Sequence, residues 1–363
     1  MPKKKSPIKI DTVAGSRSYN RLDMQISQTL HMAIELYNDL NYLFVLDYYD
    51  DITLFDLDSD PLAVSYYQMK TSESTITIDS AIKEDWLAKM YAQLNRPGDW
   101  LVKELGLITN TPLEVSIKMK NEAGKVNNTK KLLSSEHTPL TNIHENVQSR
   151  IIADIAKKNG ISENKVDLSK FAHLRTTLTI ERHKDLVEKE MEDFLYEKYP
   201  KITVDTVKGI YSSLIDLLTK RQEYELLPNN APFDVVKAHK GFTKSELTRV
   251  IDKAIMLSIP TFDDVIKASG LGHDKASILS FSYVQILADS NNNSDGSFPR
   301  LFNIVSEIMN TNSFSSNITA WEYGLEIAMK VHEKEPLYKT IYSIEYISVL
   351  VICLLINKSR RLP

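Results

Sequence analysis

The sequence predicts an α/β fold followed by a mostly helical C-terminal part. Three observations carry that expectation. Between Asn20 and Met69 the apolar period changes from that of a helix to that of strands. Glycine is scarce, 11 in 363 residues, against a usual share of about 7%, which disfavours sandwiches and propellers built on many tight turns. Beyond residue 242 the apolar residues recur at helical spacing with few breaks.

The elements follow in order. Residues 1–17 read as a flexible basic arm. From Asn20 to Tyr42 the residues Leu22, Ile26, Leu30, Ala33 and Tyr37 make one apolar stripe of a helix. Leu43–Leu46 precedes an acidic turn, Ile52–Phe55 reads as a strand, and Asp56–Pro61 is turn chemistry. Leu62–Met69, rich in aromatic and β-branched residues, is a second strand and closes a hairpin. A helix is expected over Ser80–Leu94, with Ile82, Trp86, Met90 and Leu94 four apart, broken by Arg96-Pro97-Gly98. Leu105–Thr109 reads as a short buried strand. The polar segment 118–141, with Lys118, Lys120, Lys125, Lys130 and Lys131, reads as a mobile basic loop. Long helices are expected over 142–228, a boundary at 228–241, and helices over 242–363, interrupted at Ser290–Gly296.

At roughly 100–200 residues per domain, the length suggests two domains or three. With 42% apolar and 25% charged residues, a disordered chain, a collagen and a repetitive fibre are disfavoured. The net charge of −4 gives no global pull toward nucleic acid, which leaves a local basic patch open. The single cysteine, Cys353, excludes an internal disulfide and any zinc site needing two thiolates, and fits a reducing compartment. A cytoplasmic location is therefore expected. The basic start at Met1–Pro7 has no apolar run behind it, unlike a secretory signal. The longest apolar run, Tyr346–Ile356, falls short of the about 20 residues of a bilayer span. It reads as a buried helix or strand, not a membrane anchor.

The chemistry is concentrated at the hairpin. Asp51 stands at the start of its first strand, and Gln68 and Lys70 at the end of its second. Residues i and i+2 of a strand share a face, so Gln68 and Lys70 lie on one side. The open end of the hairpin brings Asp51 beside them. A carboxylate, an amide oxygen and an ammonium then converge, with the Met69 carbonyl close by. A hard divalent cation takes oxygen ligands and serves phosphodiester hydrolysis by acidifying water and neutralising charge. A lysine beside it orients the water or holds the phosphate as a point charge.

In this arrangement the chain resembles the PD-(D/E)xK nuclease superfamily: a helix, an aspartate at a strand start, a hairpin, then Gln-x-Lys. More narrowly, Asp50-Asp51-Ile52, Tyr67-Gln68-Met69-Lys70-Thr71 and Leu107-Ile108-Thr109-Asn110 resemble the Cap-type endonuclease domain of bacterial anti-phage effectors. The helix from Arg21-Leu22-Asp23-Met24-Gln25 to Ile34-Glu35-Leu36 fits that domain's first helix. The architecture is most like the nuclease subunit of Lamassu defence systems.

The resemblance implies a restriction-endonuclease-like mixed sheet flanked by helices over 18–230 and a helical oligomerisation or partner-docking domain over 242–363. It implies Asp51 as metal ligand, Gln68 in the place usually held by Glu or Asp, Met69 through its carbonyl, Lys70 as catalytic lysine and Glu35 as an additional acidic ligand. Gln68 departs from the commonest pattern and removes a negative charge. The implied cofactor is Mg²⁺ or Mn²⁺. The implied function is metal-dependent cleavage of double-stranded DNA, by an effector silenced by an SMC-like ATPase and a small accessory subunit and activated by self-assembly. Two other readings stay open: a stand-alone restriction-type nuclease, and a non-catalytic interaction subunit with a nuclease-like fold.

Other residues read more plainly. Asp50 competes with Asp51 as ligand. One of Tyr66 and Tyr67 packs in the core while the other is free to flank DNA. Thr71 and Ser72 either contact a phosphate or end the strand. His173 and His183 fall on a polar helix without metal spacing. Gly270–Ser277 lacks the spacing of a phosphate loop. Thr261–Leu287 reads as a helix capped by Thr261 with Asp264, ended at Gly270 and followed by a second helix. Met256, Met309 and Met329 read as core fillers.

Overall fold

The structure, a computed structural model, describes residues 14–96, 98–120, 126–200, 202–272, 276–291, 297–315 and 317–360. Most of the basic arm, Lys125 and the tip of the 290–296 break lie outside these residues.

The hairpin forms as its alternation dictates. β1 (Tyr42–Leu46), β2 (Ile52–Asp56) and β3 (Ala63–Lys70) pair antiparallel, Leu43 opposite Phe55 and Ile52 opposite Tyr67. Every residue of β1 is buried, which requires cover on both faces of the sheet. On one face Phe55, Tyr66, Leu105 and Phe171 share a core with helices α2 (Ile78–Lys83), α3 (Trp86–Ala92) and α4 (Glu145–Asn159) through Ile78, Leu87, Met90, Ile151 and Ile155. Each such side chain contributes about 1.5–3 kcal/mol by leaving water. The opposite face carries Leu54, Tyr67 and Ile108, which line a cavity with Gln28, Met32 and Leu36 at the end of helix α1 (Ala14–Glu35).

After α3 the chain returns as β5 (Leu101–Thr109), parallel to β3, with Lys70 opposite Thr109. β9 (Phe171–Arg175) pairs parallel with β5, and β8 (His137–Pro139) and β10 (Gly241–Thr243) add antiparallel edges. The seven-stranded mixed sheet runs β10-β1-β2-β3-β5-β9-β8. The expected α/β class is thus observed, and strands β3 and β5 end side by side.

Several local expectations are corrected. The helix over Ser80–Leu94 is two helices, because Asp85 takes a left-handed conformation (φ 64°) that a right-handed helix cannot pass through. The basic segment 118–141 is not a loop. β6 (Leu113–Lys120) and β7 (Val126–Leu133) pair antiparallel, and with β4 (Ile76–Thr77) make a second sheet. Leu113, Val115 and Leu133 are buried while Lys130 pairs with Glu114 at 2.8 Å; the exposed lysines mask the strand period. His173 lies on β9, fully buried, its Nε2 2.8 Å from Thr109 Oγ1. Burial pushes its imidazole down to about 4, so it is neutral. Tyr66 and Tyr67 are both buried, since both faces of β3 are covered.

The chain divides into two compact units. The first comprises the chain up to Phe194 with Tyr211–Thr248, the second Leu195–Ile210 with the chain from Arg249 onward. Helices α5 (His183–Lys198), α6 (Val204–Gln222) and α8 (Lys244–Leu257) each contribute residues to both units, and α7 (Phe233–Lys240) belongs to the first. Sheet structure therefore resumes inside the segment expected to open the helical part. Phe242 of β10 is fully buried and pairs with Phe44. A three-residue strand bounded by Lys240 and Lys244 is too short to leave a period in the sequence.

The second unit holds α9 (Phe262–Ser269), α10 (Ala276–Asn291), α11 (Ser297–Thr311), α12 (Ala320–Lys334), α13 (Tyr338–Ile341) and α14 (Ile344–Arg360). Thr261 caps α9 by accepting from the Asp264 N–H, and Gly270 ends it at φ 73°. The apolar run becomes α14, in which residues Ile347 to Leu354 are buried on all sides. Among the described residues no helix is long and apolar enough to cross a membrane. Met309 fills the core as expected, whereas Met329 is 52% exposed.

Candidate functional site

The turn between β1 and β2 sets the position of the carboxylates. The Asp47 N–H donates to the Asp51 carbonyl at 3.2 Å, with Asp47 at φ 48°. Asp51 thus precedes β2 directly, one residue ahead of the Ile52–Tyr67 pair. Its Oδ2 accepts the Met69 N–H at 2.7 Å and stands 3.6 Å from Lys70 Nζ. The ammonium lies 5.5 Å from the centre of the Trp86 ring, a favourable place for a cation.

Asp51, Gln68, Met69 and Lys70 are therefore brought to one end of the β2–β3 ladder. Gln68 Oε1 is buried and has no hydrogen-bond partner among the described residues. An unpaired buried acceptor of this kind costs about 1–3 kcal/mol. Asp50 is turned differently. Its Oδ1 accepts the Asp51 N–H at 3.0 Å and its Oδ2 accepts from Gln93 Nε2 at 3.2 Å.

Burial pushes the Asp50 carboxyl up to about 6, and the adjacent Asp51 adds to the rise. Burial raises Asp51 too, against the pull of Lys70 and the Met69 N–H. Two neighbouring carboxyls that resist ionisation and an orphaned amide oxygen are groups that a hard cation would satisfy. The donor set fits a divalent ion held by Asp51, Gln68 Oε1 and the Met69 carbonyl. It is a weakly charged set. Among the described residues no cluster of three or more His, Cys, Asp or Glu side chains is arranged to hold a metal.

Asp51, Met69 and Lys70 open onto a cleft of about 780 Å³, lined also by Asp47, Thr71, Ser72 and Trp86, with Arg21, Leu22 and Gln25 from α1; Gln68 does not line it. Thr71 and Ser72 are in it, and Ser72 is held by Asn110: its N–H donates to Asn110 Oδ1, and Asn110 Nδ2 donates to its carbonyl, both at 2.9 Å.

Glu35 is not brought to this cleft. It lies at the far end of α1 and lines the separate cavity of about 320 Å³ with His31, Glu136 and His137. Its Oε2 is 3.5 Å from His31 Nε2. Of the α1 residues that line the cleft, Gln25 is the buried one, its Oε1 accepting from Gln222 Nε2 at 2.7 Å. Sequence reading missed Gln25 as a site residue. Its signal was a polar group one helical turn from Arg21 and one residue ahead of the buried Ile26.

No family model matches the chain. It is similar to the Lamassu protein LmuA of Bacillus cereus (strain VD014), 25% identical over 256 residues that cover 69% of this chain and 68% of that protein. Two solved structures of the Acinetobacter baumannii Cap4 SAVED/CARF-domain containing receptor, with the cyclic trinucleotides 2'3'3'-cAAA and 3'3'3'-cAAA, are also similar. They are 11% and 10% identical, each with a TM-score of 0.38 over 69% of this chain. The chain spans 46% of the length of those receptors.

Proposed function

We propose that this chain is the metal-dependent DNA endonuclease of an anti-phage system of the Lamassu type. The observation that carries the reading is the juxtaposition of Lys70 Nζ and Asp51 Oδ2, 3.6 Å apart, at the end of the strand that carries Gln68, whose buried Oε1 has no partner among the described residues. A PD-(D/E)xK-type site needs these three groups together. Asp51, Gln68 and the Met69 carbonyl would hold Mg²⁺ or Mn²⁺. Lewis-acid chemistry, the acidification of water and the neutralisation of phosphate charge, is what such an ion supplies when bound.

The chain's own residues do the rest. The Met69 N–H fixes Asp51 Oδ2, so the carboxylate is aimed before substrate arrives. Lys70 Nζ holds a non-bridging oxygen of the scissile phosphate, or the attacking water, as a compact point charge. Arg21, exposed on α1 and lining the same cleft, adds a second cation for the phosphate backbone. Double-stranded DNA is the proposed substrate.

The proposed partners are those that the resemblance to the nuclease subunit of Lamassu systems implies. An SMC-like ATPase and a small accessory subunit would hold the nuclease silent, and self-assembly would activate it in the cytoplasm. Silence before the trigger is needed because indiscriminate cleavage kills the host.

The test is plasmid cleavage by the purified full chain with Mg²⁺ or Mn²⁺, assayed across size-exclusion fractions with and without the partner subunits. Lys70→Ala and EDTA are the controls. Metal-dependent cutting that disappears in Lys70→Ala supports the site, and cutting confined to large species supports activation by assembly. A chain that cuts in no fraction, with partners included, overturns the nuclease in favour of a non-catalytic subunit.

A further inference from the structure

The last residue of α6, Gln222, is bonded toward two walls of the cleft. Its Nε2 donates to Oε1 of Gln25, which lines the cleft from α1. Its carbonyl accepts from Lys240 Nζ at 3.0 Å, and the same ammonium donates to the Asp47 carbonyl at 3.0 Å. Asp47 lines the cleft and opens the turn that delivers Asp51. Gln222 and Lys240 are 5% and 4% exposed.

Such burial of a lysine calls for a reason. An ammonium is almost never fully buried unless paired, and here its hydrogen bonds go to two neutral carbonyls. A methionine of similar volume would fill the space without the cost of desolvating a charge. What the ammonium supplies is direction. It ties the Asp47 carbonyl to the end of α6 at a residue whose backbone is left-handed, a conformation uncommon outside glycine. The next residue reinforces the tie, for the Tyr48 hydroxyl donates to the Pro228 carbonyl at 2.7 Å and accepts the Ala231 N–H at 2.9 Å.

We propose that Gln222 and Lys240 are positioning residues of the cleft, which register the β1–β2 turn, and with it Asp51, against α1. The catalytic consequence rests on the nuclease reading; the structural registration does not. Displacement of a reacting group by about 1 Å is enough to cost about 10²-fold in rate, and a short turn carrying both Asp50 and Asp51 is free to rock unless held.

The experiment compares the full-length chain with Lys240→Met, Gln222→Met and the charge-keeping Lys240→Arg. Hydrogen exchange is read over residues 47–52 and 21–28, with 344–360 as a distant control, and cleavage is resolved into kcat and KM with Mn²⁺. The expected result for Lys240→Met is faster exchange at 47–52 with the control unchanged. Its kcat should fall about 10²-fold with little change in KM, and Lys240→Arg should recover part of both. Gln222→Met keeps the carbonyl acceptor, so it should loosen 21–28 and remain informative if Lys240→Met does not fold. Unchanged exchange at both segments, or a loss of kcat that merely follows global unfolding, overturns the proposal. If the wild-type chain cuts nothing even with the partner subunits included, the nuclease reading falls and the exchange data alone decide the registration.

Discussion

Asn110 and Ser72 exchange two hydrogen bonds of 2.9 Å, side-chain amide against backbone, at the adjoining ends of the parallel strands β5 and β3. The asparagine does what another strand residue would do, at a point where the chain is already turning away. It thereby pins the loop that follows Lys70. Asn110→Ala leaves the backbone groups of Ser72 without these partners and should cost about 1–3 kcal/mol in urea unfolding. Amide exchange over 71–75 should rise. Unchanged exchange would mean that the loop is held by other contacts.

Gln68→Glu tests the weakly charged donor set. A second carboxylate beside Asp51 should tighten Mn²⁺ binding by about tenfold, about 1.4 kcal/mol, in calorimetric titration. The orphaned Oε1 is replaced by a group with a stronger claim on a cation. Equal affinity in the two proteins would remove Gln68 from the ligand set.

A pH-dependent strut joins α1 to α5. His31 Nδ1 is 2.7 Å from Glu190 Oε2, and its Nε2 is 3.5 Å from Glu35. Burial works against charge on this imidazole, but the bond to Glu190 and the field of Glu35 outweigh it, so His31 is raised above its ordinary 6.5. The unfolded chain releases this proton at lower pH than the folded one. The stabilisation is therefore full below about 6.5 and is lost as pH rises through the raised value. Urea unfolding between pH 5.5 and 8.5 should show that decline in the wild type and a flatter profile in His31→Gln. Parallel profiles would show that the strut contributes nothing.

Two glycines should respond in opposite directions. A Cβ on Gly324 of α12 would stand 2.9 Å from the Ser348 carbonyl oxygen and 3.0 Å from its Cα on α14. Gly324→Ala should lower thermal stability by about 1–3 kcal/mol of overpacking, beyond the helix propensity it gains. Gly209 of α6 has open space around a Cβ, so Gly209→Ala should gain roughly 0.5–1 kcal/mol. Calorimetric midpoints for both variants check the pair, and a rise for Gly324→Ala would mean that α12 and α14 separate easily.

Local pattern was sufficient for much of the first unit. The stripe of α1, the alternation of β2 and β3 and the Asp-rich turn between them are written in neighbouring residues. So Asp51, Gln68 and Lys70 could be put on one hairpin end before any tertiary contact was known. The caps of α9 at Thr261 and Gly270 are equally local.

Long-range pairing decided the remainder. Glu35 and Gln25 are both polar residues of one helix, and only the docking of α1 on the sheet distinguishes the one that faces the cleft. The strand of His173 exists because β5 offers it an edge, and β10 because β1 does. Lysines hid the period of β6 and β7. Lys240 and Gln222 reach Asp47 and Gln25 across 193 and 197 positions of chain. A hydrogen bond between residues so far apart leaves no spacing to read, because the fold alone brings its two ends together.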